Sequence, residues 1–192
     1  MAAGDSSTSI CNIALIALGE DPITDLAENS KRAILCKARY DDIRRFVLRT
    51  HIWNCARKQA QIAADPTAPL FKWLNRFAIP ADFIRFYSEN DETNDMDVWD
   101  VMDGFIYTNA TAPLQIVYVY DLQDATKFDA TLSHVIAYNI ASELGLPLTQ
   151  NTERVKLALS QMEGKYNIAR FIGAQENAPR EWDVDVLLRS RR

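Results

Sequence analysis

His51, Trp53, Asn54 and Cys55 stand within five consecutive residues, the densest set of chemically capable side chains in the sequence. Read as helix, His51 and Cys55 sit at i and i+4 on one face, a spacing that suits zinc. A closed zinc site needs four ligands. No second Cys/His pair lies nearby, so Cys36 and His134 would have to come from elsewhere. A Cys–His nucleophile is the other chemistry on offer. It needs an accessible cysteine held as thiolate and a third group to orient the histidine. Asn54 adjoins Cys55, but neighbouring side chains diverge on a helix. Packing is therefore the preferred reading of this cluster.

Other chemistry finds little support. Asp41-Asp42 and Asp91-Glu92 are adjacent acids of the kind common on exposed elements. G-x-x-x-x-G-K-[ST], G-x-G-x-x-G and H-E-x-x-H are absent from the sequence. Six glycines leave little for phosphate-cradling loops. The expectation is a protein that is not an enzyme, with no catalytic residue, no metal and no cofactor.

The 192 residues suit one domain of ordinary size. With 48% hydrophobic and 24% charged residues, the chain can bury a core. The longest apolar run, Ile13 to Leu18, is too short to span a bilayer. The first residues read as lacking a secretory signal. Three cysteines at irregular spacing, Cys11, Cys36 and Cys55, argue for a reducing compartment rather than a disulfide framework.

Charge is uneven. Residues 1–85 hold twelve Lys/Arg against nine Asp/Glu, residues 86–126 hold nine Asp/Glu and no Lys/Arg, and residues 127–192 hold nine against eight. The acidic middle is either a solvated loop or a surface that meets a partner while repelling nucleic acid.

The elements follow from period and punctuation. Asp5-Ser6-Ser7 caps a first helix carrying Ile10, Ile13, Ala14 and Ala17, and Gly19 ends it. Asn29 or Ser30 caps a long helix predicted to run to about Ala64. Its seam is Cys36, Tyr40, Ile43, Val47 and Thr50, widened by Phe46, Trp53, Ala56, Ala60 and Ala63, with Asp41 and Arg45 able to pair outside. Asp65-Pro66 stops it. Aromatic and proline-rich residues up to position 88 read as extended segments. Val98–Met102 and Phe105–Thr108 flank Asp103-Gly104, a hairpin signal, and Leu114–Tyr120 is a further strand. Helical period returns near Asp129, with Leu132, Val135, Ile136, Ile140 and Leu144 on one face, ending at Gly145 and Pro147. A last helix, capped by Asn151 or Thr152, places Val155, Leu159, Met162 and Tyr166 inward and ends near Gly173.

The predicted fold is mainly α with an inserted β lobe. Residues 1–65 and 125–175 form a four-helix body, residues 66–124 a small antiparallel β region, and residues 176–192 an extended C-terminal tail. In that tail Trp182, Val184, Val186, Leu187 and Leu188 alternate with acids and end in Arg189. Such a terminus makes sense docked on a partner. The alternative function is a helical nucleic-acid-binding module using the basic long helix. Its basic residues circle the helix instead of forming one stripe, and no reading motif is present.

Three stretches, NIALIALGEDPITDL, YDDIRRFVLRTHIWNCARKQAQIA and FKWLNRFAIPADFIRFY, together resemble the tail tubular protein A family, the head-to-tail adaptors of short-tailed bacteriophages. The likeness is carried by an A-L-x-x-L-G-E helix end, by Tyr40, Asp41, Arg44, His51, Trp53 and Asn54, and by Trp73, Pro80 and Asp82. It covers residues 7–88 well and the rest through element order. Ile52 and Cys55 depart from the family pattern of a proline and an aromatic residue. The resemblance implies a structural virion protein in the tail or neck, assembled in the bacterial host cytoplasm. It implies a dodecameric ring of copies between portal protein and tail nozzle protein, with tail fibres as possible neighbours. DNA would pass through its channel without specific binding, and no membrane is involved. Trp182, Val184, Val186, Leu187, Leu188 and Arg189 would dock the portal. Asp91, Glu92, Asp95 and Asp97 would face either the channel or the nozzle. Trp53 and Asn54 would fix the long helix against the Trp73–Pro80 segment.

Overall fold

The computed structural model describes residues 6–87 and 98–176. Four helices predominate: α1 (Ser7–Ala17), α2 (Lys31–Thr50), α3 (Ala130–Thr149) and α4 (Thr152–Glu176). Among the described residues, six strands lie between α2 and α3: β1 (Arg57–Ile62), β2 (Asn75–Ala78), β3 (Phe83–Phe86), β4 (Trp99–Met102), β5 (Phe105–Thr108) and β6 (Leu114–Tyr120). A helical body carrying an inserted antiparallel β region is thus the observed architecture.

Capping follows the sequence signals. Ser6 Oγ accepts from the Ser9 amide and Ser30 Oγ from the Ala33 amide, each satisfying a donor that a helix start leaves open. Beyond α1, Gly19 at φ +72° turns the chain while the Glu20 amide returns to the Leu15 carbonyl. α3 is the central helix: Leu132, Val135, Ile136, Ile140 and Leu144 are all buried, and α1, α2 and α4 pack around it. α3 runs one turn past the expected stop, with Pro147 inside it and Gln150 in the left-handed region as its cap. Proline removes one donor there, toward the Glu143 carbonyl, and Glu143 is exposed, so water can serve that carbonyl. α4 buries only Ala158 and Ala169 fully; Leu159, expected inward, is 41% exposed.

The long helix is corrected most. α2 stops at Thr50, with His51 extended at its end, and Asn54–Ala56 forms a single 3-10 turn. Residues 57–62, expected as helix, are strand β1. β1 pairs antiparallel with β6 along its whole length, from Arg57 opposite Val119 to Ile62 opposite Leu114. The seam also narrows, because Thr50 and Phe46 are exposed.

The β region is two three-stranded sheets, ordered β1-β6-β3 and β2-β5-β4. Asp103 and Gly104 both take positive φ, 51° and 74°, so β4 and β5 join in a two-residue hairpin that matches strand twist. Phe77, Phe86, Ile106, Leu114, Ile116 and Tyr118 form a second core between the sheets, apart from the helical one. The β1–β2 side is tied by the Ala64–Phe77 bridge, and the β3–β4 side by Phe86 against Trp99 at 4.6 Å.

Candidate functional site: the joint between body and lobe

α2 ends because its own side chains close its last turn. The Trp53 indole N–H donates to the Val47 carbonyl at 3.1 Å and Thr50 Oγ1 donates to the same oxygen at 3.0 Å. His51 meets the Trp53 ring edge-on at 4.9 Å. Trp53 is 2% exposed and belongs to the helical core. Asn54 Nδ2 donates to Glu176 of α4 at 2.7 Å. Neither residue fixes α2 against the Trp73–Pro80 segment, as expected above; both tie it to the helical body. Trp73 is instead buried beside the lobe, under the Lys72 ammonium at 4.5 Å, and the Pro80 carbonyl accepts from the Phe83 amide in the β2–β3 turn.

The shared helix face that zinc would need does not exist, since His51 and Cys55 fall in two different local structures. Cys36 is buried in the helical core together with Cys11. Cys55 Sγ donates to Asp129 Oδ2 at 3.6 Å. Burial first, then the nearby Asp129 charge, pushes that thiol up to about 11. Burial, with Arg170 and Arg85 nearby, holds His51 below the ordinary histidine value. A neutral imidazole and a protonated thiol are the reverse of a reactive pair.

Arg44 occupies the inner face of α2 at 1% exposure, between Tyr40 and Leu48. A buried guanidinium requires partners. Its Nη1 donates to Asp121 Oδ1 and, at 2.9 Å, to the Leu122 carbonyl, both just beyond β6. Asp41 lies 3.3 Å away on the exposed side. Asp41 therefore pairs with Arg44 and not with Arg45, whose Nε reaches Asp121 at 3.3 Å. Burial works to raise the Asp121 carboxyl, but hydrogen bonds from Arg44 and Gln123 and the two arginine charges hold it below the usual carboxylate range.

A second knot sits beside the first. Asp82 takes the Lys58 ammonium and the Tyr118 hydroxyl, both at 2.8 Å, and the Asp121 amide donates to the Asp82 carbonyl at 2.7 Å. Burial opposes ionisation of Asp82, and Lys58 and Tyr118 overcome it, so its carboxyl is also lowered. Tyr118 is pushed up to about 12, by burial and then by Asp82. Further along, Arg49 of α2 donates to the Ile84 carbonyl and Arg85 of β3 returns to the Arg49 carbonyl, each at 2.9 Å.

Of the expected motif residues, Arg44 ties the body to the lobe through Asp121, while Asp82 bonds Lys58 and Tyr118 within the β region and is linked to that joint by its carbonyl, which accepts from the Asp121 amide. Tyr40, His51, Trp53 and Asn54 brace the body, and Trp73 and Pro80 belong to the lobe. Asp121, Tyr118, Lys58, Arg49 and Arg85 were missed. One signal pointed to Asp121: an arginine amid the apolar residues of α2 demands a carboxylate, and Asp121 ends an apolar strand. Asp91, Glu92, Asp95 and Asp97, and Trp182, Val184, Val186, Leu187, Leu188 and Arg189, lie outside the described residues.

The basic residues of α2 are largely engaged. Arg32 pairs with Asp21, Arg39 with Glu143 and Asp42, and Arg44 and Arg45 with Asp121. Among the described residues, no helix is long and apolar enough to cross a membrane. Comparison of the chain with known protein families and with curated proteins gives no match.

Proposed function

We propose that this protein is a head-to-tail adaptor of a short-tailed phage, a structural ring subunit between portal and tail nozzle. The observation that carries the reading is the joint spacing of the three quoted stretches. It is supported by Arg44, Arg45 and Arg49 of α2, which tie the helical body to the lobe through Asp121 and the Ile84 carbonyl. A subunit that must hold two neighbours in register needs such a stiff seam.

The outer side of α4 adds support. Leu157, Ser160, Gln161, Gly164, Asn167, Ile168, Phe171 and Gln175 share one exposed face. From Leu157 onward it carries no charge, Glu153 standing one turn before it, and nothing stands within 4 Å of the place a Gly164 Cβ would take. A solvent face normally carries charge; an uncharged one with a glycine at its middle suits close packing against another helix. In the adaptor reading this face packs on the neighbouring copy, Trp182 to Arg189 dock the portal, and the acids at 91–97 face channel or nozzle. The pairing of the α2 arginines with acids counts against the nucleic-acid-binding alternative, which would need those charges for phosphate.

The test is electron microscopy of the full chain mixed with portal protein from the same source. The expected result is a second ring stacked on one end of the portal. Deleting residues 179–192 should abolish binding while the helical body still melts cooperatively. No added density with folded protein, or undiminished binding after deletion, overturns the reading of the ring or of the tail respectively.

A further inference from the structure

The loop from β1 to β2 displays large apolar side chains to an unusual degree. Leu70 is 96% exposed, Phe71 80% and Leu74 71%. A scattered exposed leucine needs no explanation, but three such residues in five do. The display is built. Lys72 takes φ +70°, strained for a side chain of its size. Its ammonium lies over the Trp73 ring and 3.8 Å from Asp100 of β4. The Trp73 amide donates to the Phe71 carbonyl at 2.8 Å, and the Leu74 amide to Asn109 Oδ1 at 3.0 Å. The backbone strain is thus held by buried Trp73 and by an ion pair, and its effect is to aim Leu70, Phe71 and Leu74 at solvent.

A receiving site stands elsewhere on the same lobe. Between edge strands β3 and β4 a groove of about 400 Å³ is lined by Arg49, Ile84, Arg85, Phe86, Trp99 and Val101. Val101 pairs in register with buried Ile106, so it faces the inner side of its sheet; Asp100, where Lys72 attaches, faces the outer side. Strand β4 therefore separates the loop from the groove.

We infer that the Leu70–Leu74 loop of one copy seats in the β3–β4 groove of a second copy. The chemistry matches. The loop tip carries one charge, Lys72, whose ammonium lies over the Trp73 ring and 3.8 Å from Asp100, leaving Leu70, Phe71 and Leu74 as its apolar contacts. The groove floor is aromatic, and its rim carries two guanidiniums already engaged with backbone carbonyls, a setting that favours a phenyl ring over an anion or a bare aliphatic chain. The volume is ample, since a cavity of about 150 Å³ admits benzene. Plug and groove occupy different surfaces, so the contact is heterologous, and repetition closes a ring or extends a filament. This inference stands on the lobe alone and survives failure of the adaptor reading.

The test uses two full-length variants, Phe71→Asp and Val101→Asp, both at exposed positions, each first shown to melt as the parent does. The parent is expected to self-associate beyond dimers in sedimentation velocity. Each variant alone should associate more than about tenfold more weakly, as for loss of an interface anchor. Mixed together they should form a 1:1 heterodimer and nothing larger, since one intact plug and one intact groove remain. As a second measurement, Phe71→Cys mixed with Val101→Cys should give a mixed disulfide in preference to either homodimer on oxidation. A parent monomeric up to its solubility limit together with no mixed disulfide, or a Phe71→Asp variant that associates like the parent, overturns the proposal. Binding of portal by these variants is scored separately, so failure of one reading does not mask the other.

Discussion

Replacing Asp121 by asparagine tests the joint at its most buried point. In the parent, the Arg44 guanidinium is 1% exposed and Asp121 is 13% exposed. Asparagine keeps the shape and removes the charge, leaving a buried cation with the Leu122 carbonyl at 2.9 Å and the mostly exposed Asp41 at 3.3 Å. Breaking a buried pair from one side costs about 3–5 kcal/mol, and the surviving partners place this case near about 3 kcal/mol. For a chain of this length that is a fall in Tm of about 6–12 °C. Arg44→Met should cost less, about 1–2 kcal/mol, because Asp121 keeps Arg45 and Gln123 and the aliphatic stem still fills the core. Urea unfolding of both single variants and the double variant measures the asymmetry and the coupling. Amide exchange adds a spatial readout: protection should fall first at the end of β6. Equal costs for the two variants, or a cost below about 1 kcal/mol for Asp121→Asn, would refute the claim that this pair holds the seam.

His51 is held neutral by burial and by nearby Arg170 and Arg85. Its folded pKa lies below the unfolded 6.5, so its contribution is present above that pH and is lost as pH falls through the folded value. His51→Gln should flatten the decline of Tm between pH 7 and 5. Thiol titration of native protein should be slow at every cysteine. Cys11 and Cys36 are buried, and Cys55, pushed up to about 11, is ionised to about one part in ten thousand at pH 7; rapid labelling of Cys55 would contradict its bond to Asp129. Two helix glycines should respond oppositely to alanine. At Gly145 a Cβ would fall 2.8 Å from Val155 Cγ2 and 3.2 Å from Leu18 Cδ2, so overpacking should cost about 1–2 kcal/mol by thermal melts. At Gly164 the space is open, and the monomer should gain about 0.5–1 kcal/mol.

Some of this architecture is legible before any packing is known. Ser6 and Ser30 start helices through local bonds, Gly19 ends one, and Asp103-Gly104 turns a hairpin because positive φ is needed there. The α3 face and strand β6 carry their period over enough residues to be unambiguous. Each of these rests on contacts within a few residues of chain, which is why residue type alone specifies them.

The stretch from Thr50 to Ala64 shows where that stops. Trp53, Ala56, Ala60 and Ala63 keep a helical spacing, yet Ala60, Ile62 and Ala64 also alternate, and it is these that pack on the lobe core. No glycine or proline breaks the run, so the two periods compete evenly. The decision is taken by β6, whose open edge bonds Arg57–Ile62 residue for residue, and by Trp53, which turns back to close the helix behind it. Both partners act through tertiary contact. The same holds at the joint: an arginine on an apolar helix face announces that a carboxylate must arrive, but only the fold brings Asp121 across 77 residues to meet it. Local chemistry determined where elements begin and turn; long-range pairing decided which period prevailed and which charges met, because those energies exist only once distant segments touch.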